Sequence, residues 1–277
     1  MNSQGSGGLR VHSHRLQDAD IAEEEIKDEG VLTDSFGFVA DEYSRFLVAA
    51  KQDEKEAWKR MQETAAFRER EKVDGLLEQP HPQFFLLKSV YSHGFLGVSK
   101  SDTGSYVLLD KMGKFHQTMK DFRKHGITEK DVMRHSMLTM EWFCKVIDPR
   151  RYPHGRFIRV YDFEGFKMQH VRDVGAIKMG TSIVSMIEKH YPERLEKAYV
   201  INAPPVLFHL WNIVKRMLDR ETVKKFCIVK GKEESCALMQ GLMEADMLPV
   251  EYGGTLERLE ESACEKALYE HISEMNT

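Results

Sequence analysis

The chain has no GxSxG elbow, no GxxxxGK[ST] phosphate loop, no HExxH pair and no GxGxxG turn. The usual sequence signatures of serine hydrolases, P-loop proteins, zincins and dinucleotide-binding folds are therefore missing. Gly113-Lys114 is followed by Phe115, which removes the last phosphate-loop reading. Cysteine is scarce: Cys144, Cys227, Cys236 and Cys264 form no CxxC and no zinc-type spacing. Four thiols in 277 residues make no disulfide scaffold, so free thiols in a reducing compartment are expected. The twelve histidines include no pair at helical metal-ligand spacing. No catalytic residue, no metal and no cofactor is expected.

Basic excess is also missing. The net charge is -4 with no long basic stripe, which argues against a nucleic-acid partner. Long apolar runs are absent too. The best stretch, Ala198 to Val214, is interrupted by Asn202, Pro204, Pro205, His209 and Asn212, whereas a membrane span needs ~20 apolar residues. The first residues, MNSQGSGGLRVHSHRLQ, contain no apolar signal core, and acidic residues arrive at Asp18 and at Glu23 to Glu25. A cytoplasmic protein is expected by elimination.

What the chain does have is enough apolar material for a core, 42% of residues, in a length that buries well over half of its unfolded surface. Residues 1–17 are Gly- and Ser-rich and read as disordered. Residues 18–78 read as a helical subdomain, with Phe46, Leu47, Ala50, Ala57, Trp58, Met61 and Ala65 at spacings of three and four. After the Leu76 to Pro82 breaker, the pattern alternates strand and helix. Strands are expected at Tyr106 to Leu109, Phe157 to Phe163, Ala198 to Asn202 and Phe226 to Val229. Helices are expected at His116 to Ile147, His170 to Tyr191, after Pro204-Pro205, and at Ser235 to Ala245. Such alternation predicts βαβ units and a mostly parallel sheet. Residues 83–256 form the expected α/β domain. Residues 257–277 carry Leu259, Ala263, Ala267 and Leu268 at helical spacing and read as a terminal helix packed on it.

Three segments stand out. Tyr191-Pro192-Glu193-Arg194 runs into Ala198 to Pro204, a turn with an acid–base pair leading to a buried strand; its plainest reading is a weak surface ion pair. Val206 to Leu218 is apolar over most of a helix circumference, which a core helix would also explain. Leu248-Pro249-Val250-Glu251-Tyr252-Gly253-Gly254-Thr255 is a turn-rich stop.

Together these segments resemble the CRAL-TRIO lipid-binding family, in particular its branch of phosphatidylinositol/phosphatidylcholine transfer proteins of the secretory pathway. YPER…INAP, the spaced Asp219, Thr222 and Lys225, and LPVEYGGT occur in that family's order. Arg45-Phe46-Leu47 with Ala57 resembles its helical lead-in, Asp102-x-Gly104 with Tyr106-Val107 its first strand, and Asp162-x-x-Gly165 the end of its next strand. The resemblance covers roughly residues 41–256. It implies an α/β domain enclosing one lipid beneath a movable helix, exchange of that lipid between membranes, transient contact with a membrane surface, and no covalent chemistry. The ligand it implies first is phosphatidylinositol. Glu193, Lys225, Thr222 and Lys51 match the positions that hold the headgroup. Phe208, Trp211, Val214, Met217 and Leu218 match the gate, and Trp142 a cavity wall where the branch has tyrosine.

Some positions depart from that pattern. Ala50 stands where an arginine is expected. Phe157 and Arg159 replace the small hydroxyl residues of the phosphatidylcholine-binding members, which argues against a choline lipid. Arg159 is left open between a phosphate contact and a salt bridge. Alternatives are a carrier of a sterol, tocopherol or retinoid, and a lipid-sensing module that docks on a protein partner, a lipid kinase for example, through an acidic helix Ile21 to Glu29. A hydrolase is a third and weaker alternative.

Overall fold

The computed structural model describes residues 39–167, 173–216 and 218–277, with backbone alone at 116, 209, 210, 213 and 214. Residues 1–17, the Ile21 to Glu29 segment and Met217 lie outside the described residues.

Among the described residues, two complete helices come first. The short α1 (Tyr43–Ala49) turns through Lys51 and Gln52, both at positive φ, into α2 (Glu54–Glu71). Asp53 caps α2 by accepting from the Glu56 N–H, satisfying one of the donors a helix start leaves open. The apolar face read from the sequence is real: Phe46, Ala50, Ala57, Met61 and Ala65 pack into one cluster.

A five-stranded sheet follows in the order β1-β2-β3-β4-β5. After α3 (Phe84–Val90) come β1 (His93–Val98) and β2 (Tyr106–Lys111), which pair antiparallel. β3 (Phe157–Asp162), β4 (Leu195–Ile201) and β5 (Phe226–Ile228) then add parallel to β2 in turn. The first strand of the sheet is thus β1, not the Tyr106 strand. Gly94 and Gly97 weaken the strand signal of β1, and Gly94 is required there because a Cβ would lie 2.4 Å from Cδ of Glu265.

Because the parallel strands follow chain order, right-handed crossovers put their connecting helices on one face. These are α4 (Phe115–Lys124), α5 (Glu129–Trp142), α6 (Val174–His190), α7 (Leu207–Val214) and α8 (Arg220–Lys224). The single long helix expected from His116 to Ile147 is two helices. Thr128 and Asp131 form a reciprocal capping box that starts the second. Strand alternation splits the packing: Phe95, Leu108 and Phe157 meet Met137, Met140 and Phe143 on the crossover face. Leu96, Val107, Leu109, Ile158 and Val160 meet Met239 of α9 (Lys232–Leu242) and the 248–259 segment on the other.

The chain closes with α10 (Ala263–Met275), capped by Ser262. It is tied to the sheet edge by Glu265, whose buried carboxylate accepts from Lys88 Nζ at 2.5 Å and from the Phe95 N–H at 2.9 Å.

Candidate functional site

Between the crossover face of the sheet and helices α4, α6 and α7 lies a cavity of about 770 Å³. Apolar side chains make most of its wall: Phe115, Phe122, Phe157, Phe163 and Phe166, with Ile177, Met179, Ile183 and Val184 of α6. Leu207, Trp211 and Leu218 close it from the 207–218 segment. A space this large with this lining suits the tails of a lipid.

Its rim is polar where the YPER turn meets the start of β5. Lys225 Nζ donates to Glu193 Oε2 at 3.2 Å, both side chains being only 20–22% exposed. Glu193 sits at φ 53°, a conformation that costs a non-glycine residue and that persists only where the surroundings impose it. Thr222, one turn before Lys225, donates its hydroxyl to Asp219 Oδ2 at 2.5 Å. Asp219 also caps α8 and donates its own N–H to Glu188 Oε1 at 2.9 Å. Burial opposes the Asp219 charge, but the bonds from Thr222 and the backbone outweigh it and hold the pKa down at about 2. Burial also raises Glu188, to about 7. Lys51 lines the same cavity from the α1–α2 turn and has no ion pair among the described residues. Lys59, Arg60 and Lys189, also at the rim, are paired to Glu56, Glu56 and Glu63.

All four expected headgroup residues, Glu193, Lys225, Thr222 and Lys51, therefore line one cavity. The expected gate residues divide. Trp211 and Leu218 line the cavity; Trp211 packs on Phe226 with ring centroids 4.7 Å apart. Phe208 points away and is 41% exposed, with Lys230 Nζ 5.2 Å from its ring. One turn separates Leu207 from Trp211, so they share the inner face and leave Phe208 outside. Val214 ends α7 and its side chain is not described.

Trp142 is not a cavity wall. It is buried with Leu77, Phe84, Leu138, Leu268 and Ile272, its ring 5.1 Å from that of His271. The reason is the extra helix α10, which covers the back of α5 and takes Trp142 into a separate core. Glu193 and Arg194 are likewise not an ion pair with each other. Arg194 is buried, donating to the Gly155 carbonyl and to Glu42 Oε2, both at 2.8 Å, while Glu193 turns to Lys225.

The other motif residues are structural. Asp162 accepts from Asn202 Nδ2 at 2.8 Å and from the Tyr252 hydroxyl at 2.5 Å, so it joins the INAP and EYGG segments at the end of β3. Gly254 lets the chain pass Leu248, whose carbonyl oxygen would lie 1.9 Å from a Cβ. Arg159 makes the salt bridge of the two readings left open, with Asp110, on the cavity floor. The sequence reading missed Tyr91, Asp110, Tyr161 and Glu188. A charge inside each of two neighbouring apolar strands, Asp110 and Arg159, was the available signal.

Residues 92–254 match the CRAL/TRIO domain family, more than half of the chain. The chain belongs to the CRAL/TRIO family. It is 26% identical over 176 residues to "Phosphatidylinositol transfer protein CSR1" of Eremothecium gossypii, covering 58% of this chain and 37% of that protein. Over 95 residues it is 36% identical to "Sec14 cytosolic factor" of Schizosaccharomyces pombe, covering 34% and 32%. Over 193 residues it is 24% identical to "Protein real-time" of Aedes aegypti, covering 68% and 29%. These CRAL/TRIO matches thus span about a third of each relative's length. The crystal structure of Sfh5 shares the fold, with a TM-score of 0.63 at 16% identity, covering 89% of this chain and 84% of that one. Among the described residues, no helix is long and apolar enough to cross a membrane, and no group of three or more His, Cys, Asp or Glu side chains could hold a metal ion.

Proposed function

We propose that this CRAL/TRIO chain is a carrier that encloses one phospholipid, phosphatidylinositol first, and exchanges it between membranes without covalent chemistry. The observation that carries the reading is the convergence of Glu193, Lys225, Thr222 and Lys51, the last without an ion pair among the described residues, on the rim of one apolar cavity. Lysine ammonium groups donate to phosphate, and glutamate and threonine accept from or donate to inositol hydroxyls. The printed names of two similar proteins, a phosphatidylinositol transfer protein and a Sec14 cytosolic factor, support the same ligand. Release requires the α7 cover to move, which brings the exposed Phe208 face to a bilayer.

The test is vesicle-to-vesicle transfer of phosphatidylinositol by the full chain and by a Glu193→Ala, Lys225→Ala variant. Both side chains are partly exposed and pair with each other, so their joint removal should leave thermal unfolding nearly unchanged. Transfer should fall by at least tenfold. Transfer at the original rate would reject the headgroup assignment.

A further inference from the structure

The 207–218 cover is fastened at both ends, and the two fastenings differ in kind. Upstream, Asn202 donates to Asp162, which the Tyr252 hydroxyl also reaches, and the Ala203 N–H donates to the Val229 carbonyl at 3.1 Å. That end is locked into the sheet. Downstream, Leu218 leads into Asp219, whose carboxylate is occupied locally. It accepts from the N–H groups of Glu221 at 2.7 Å and Thr222 at 3.0 Å and from the Thr222 hydroxyl. Among the described residues, the hydrogen bond that ties Asp219 to another element runs from its N–H to Glu188 Oε1 at 2.9 Å.

Glu188 stands on the last turn of α6, and that end of the helix is held fast. Tyr191 donates to the buried Glu141 at 2.7 Å, Glu141 grips Arg68 of α2, and His190 is bonded to Thr64 at 2.9 Å. A half-buried carboxyl group on a fixed helix thus reaches the residue that ends the cover.

We infer that Glu188 is a positioning residue for lipid exchange: it clamps the downstream end of the cover, and breaking its contact with Asp219 lets that end swing away while Asn202 holds the upstream end. The consequence for exchange rests on the carrier reading; the clamp itself does not.

The clamp has a strong and a weak state. With its proton, the Glu188 carboxyl accepts from the Asp219 N–H and donates to the Asp219 carboxylate. Without it, two carboxylates face each other across one remaining hydrogen bond. Burial and then the bond to the Asp219 carboxylate raise Glu188 to about 7, against a backbone N–H that works the other way. Asp219 is held at about 2, so the proton belongs to Glu188. Opening returns Glu188 to water and toward its ordinary 4.5. The raised pKa belongs to the closed cover, so the clamp's advantage is whole below 4.5 and is lost as pH rises through 7. The other charges at this rim are mostly matched. Lys189 pairs with Glu63, Lys59 and Arg60 with Glu56, Lys225 with Glu193 and Lys224 with Glu221, and Lys51 stands without an ion pair among the described residues. The neighbouring ring of His190 is lowered to about 4 by burial and then by Lys189.

The test has two arms, both on the full chain. Hydrogen exchange of the lipid-free protein at pH 7 reads residues 207–216 directly. Glu188→Ala leaves the Asp219 N–H without its partner and should raise exchange there about tenfold. Glu188→Gln keeps an acceptor and a donor for Asp219 and should stay at or below the native level. Vesicle-to-vesicle transfer of phosphatidylinositol is then followed from pH 6 to pH 8. Native transfer should rise about tenfold, the ratio set by a closed-state pKa near 7. Glu188→Gln should keep the slow rate throughout, and Glu188→Ala the fast one. A merely structural role would slow transfer in both variants and leave the pH profile in place. Equal exchange of 207–216 in all three proteins, slower transfer in Glu188→Ala, or a Glu188→Gln rate that still rises with pH overturns the clamp and leaves the carrier reading standing. No phosphatidylinositol transfer by the native chain, with hydrogen exchange as expected, overturns the carrier reading and keeps the clamp.

Discussion

Arg45 on α1 donates from Nη1 to the backbone carbonyl oxygen of Glu193 at 2.9 Å, joining the first helices to the turn that carries the Glu193 carboxylate. Its Nη2 reaches the carbonyl oxygens of Arg150 at 3.2 Å and His154 at 2.5 Å, and the side chain is 1% exposed. Nε lies 2.6 Å from Glu42, which also pairs with Arg194. One guanidinium thus fixes the left-handed residue Glu193 from behind, without touching the cavity.

Arg45→Met should therefore cost far more stability than any change at the rim. It strands three carbonyls and removes one of the two arginines that balance Glu42, a loss of about 3–5 kcal/mol by analogy with other broken buried ion pairs. Urea unfolding of the variant beside Glu193→Ala gives the comparison. Similar midpoints for the two would show that the Arg45 contacts do not hold the turn.

Stability should also fall in mild acid. His93 and His135 are buried with their Nε2 atoms 2.8 Å apart. Burial, with Lys88 and then Arg159 adding for His93 and with His93, Lys88 and His81 adding for His135, pushes both well below the usual 6.5. His190, stacked on Phe67 and bonded to Thr64, is lowered to about 4 by burial and then by Lys189. A group whose folded pKa is depressed binds its proton first in the unfolded chain. Its stabilising share is whole above 6.5 and is lost as pH falls from 6.5 toward 4. Glu188 acts with the opposite sign: raised to about 7, it takes its proton first in the folded chain and adds stability as pH falls from 7 toward 4.5. His81 is lowered too, first by burial; four depressed histidines outweigh one raised carboxyl, so the urea midpoint should drop between pH 7 and pH 5, and more steeply in Glu188→Gln. A midpoint that rises over this interval would contradict the assignment.

How much of this was legible in the sequence depends on what each motif residue touches. Periodicity placed β3, β4 and α6 within a few residues, and the ordered motifs brought Glu193, Thr222, Lys225 and Lys51 to one rim. The same motifs could not separate ligand-facing residues from staples. Asp162, Asn202, Tyr252 and Gly254 spend their chemistry on one another, and only the tertiary contacts reveal it. Trp142 shows the converse. It was read as a cavity wall, but α10 lies against that face of α5 and buries it in a second core. β1 escaped because two glycines erase the strand pattern that its pairing with β2 restores.

The outward residue of α7 gives a prediction about membranes. Phe208 is 41% exposed while its neighbours Leu207 and Trp211 face the cavity. Moving the exposed part of a phenylalanine into a bilayer interface contributes about 1–1.5 kcal/mol, or about tenfold in partition. Phe208→Ser should weaken sedimentation with vesicles by about that factor, at a stability cost of about 1–2 kcal/mol because more than half of the side chain is covered. Full vesicle binding by the variant would place the membrane-contacting face elsewhere.

Ligand occupancy should be visible in a single tryptophan. The chain contains Trp58, Trp142 and Trp211. Trp142 is buried against His271 and α10, and Trp58 packs with the α1–α2 cluster. Of the three, Trp211 lines the cavity, beside Phe226. Emission from an indole shifts to shorter wavelength when its surroundings lose water. Loading the full chain with phosphatidylinositol from vesicles should therefore move the emission maximum to the blue, and Trp211→Phe should abolish that movement. Phenylalanine keeps an aromatic ring against Phe226, so transfer should stay within about twofold, as expected for a shape-conserving apolar exchange. A blue shift that survives in Trp211→Phe would mean that lipid reaches Trp58 or Trp142 instead, and the cavity bounded by α6, α7 and the sheet would not be the lipid site.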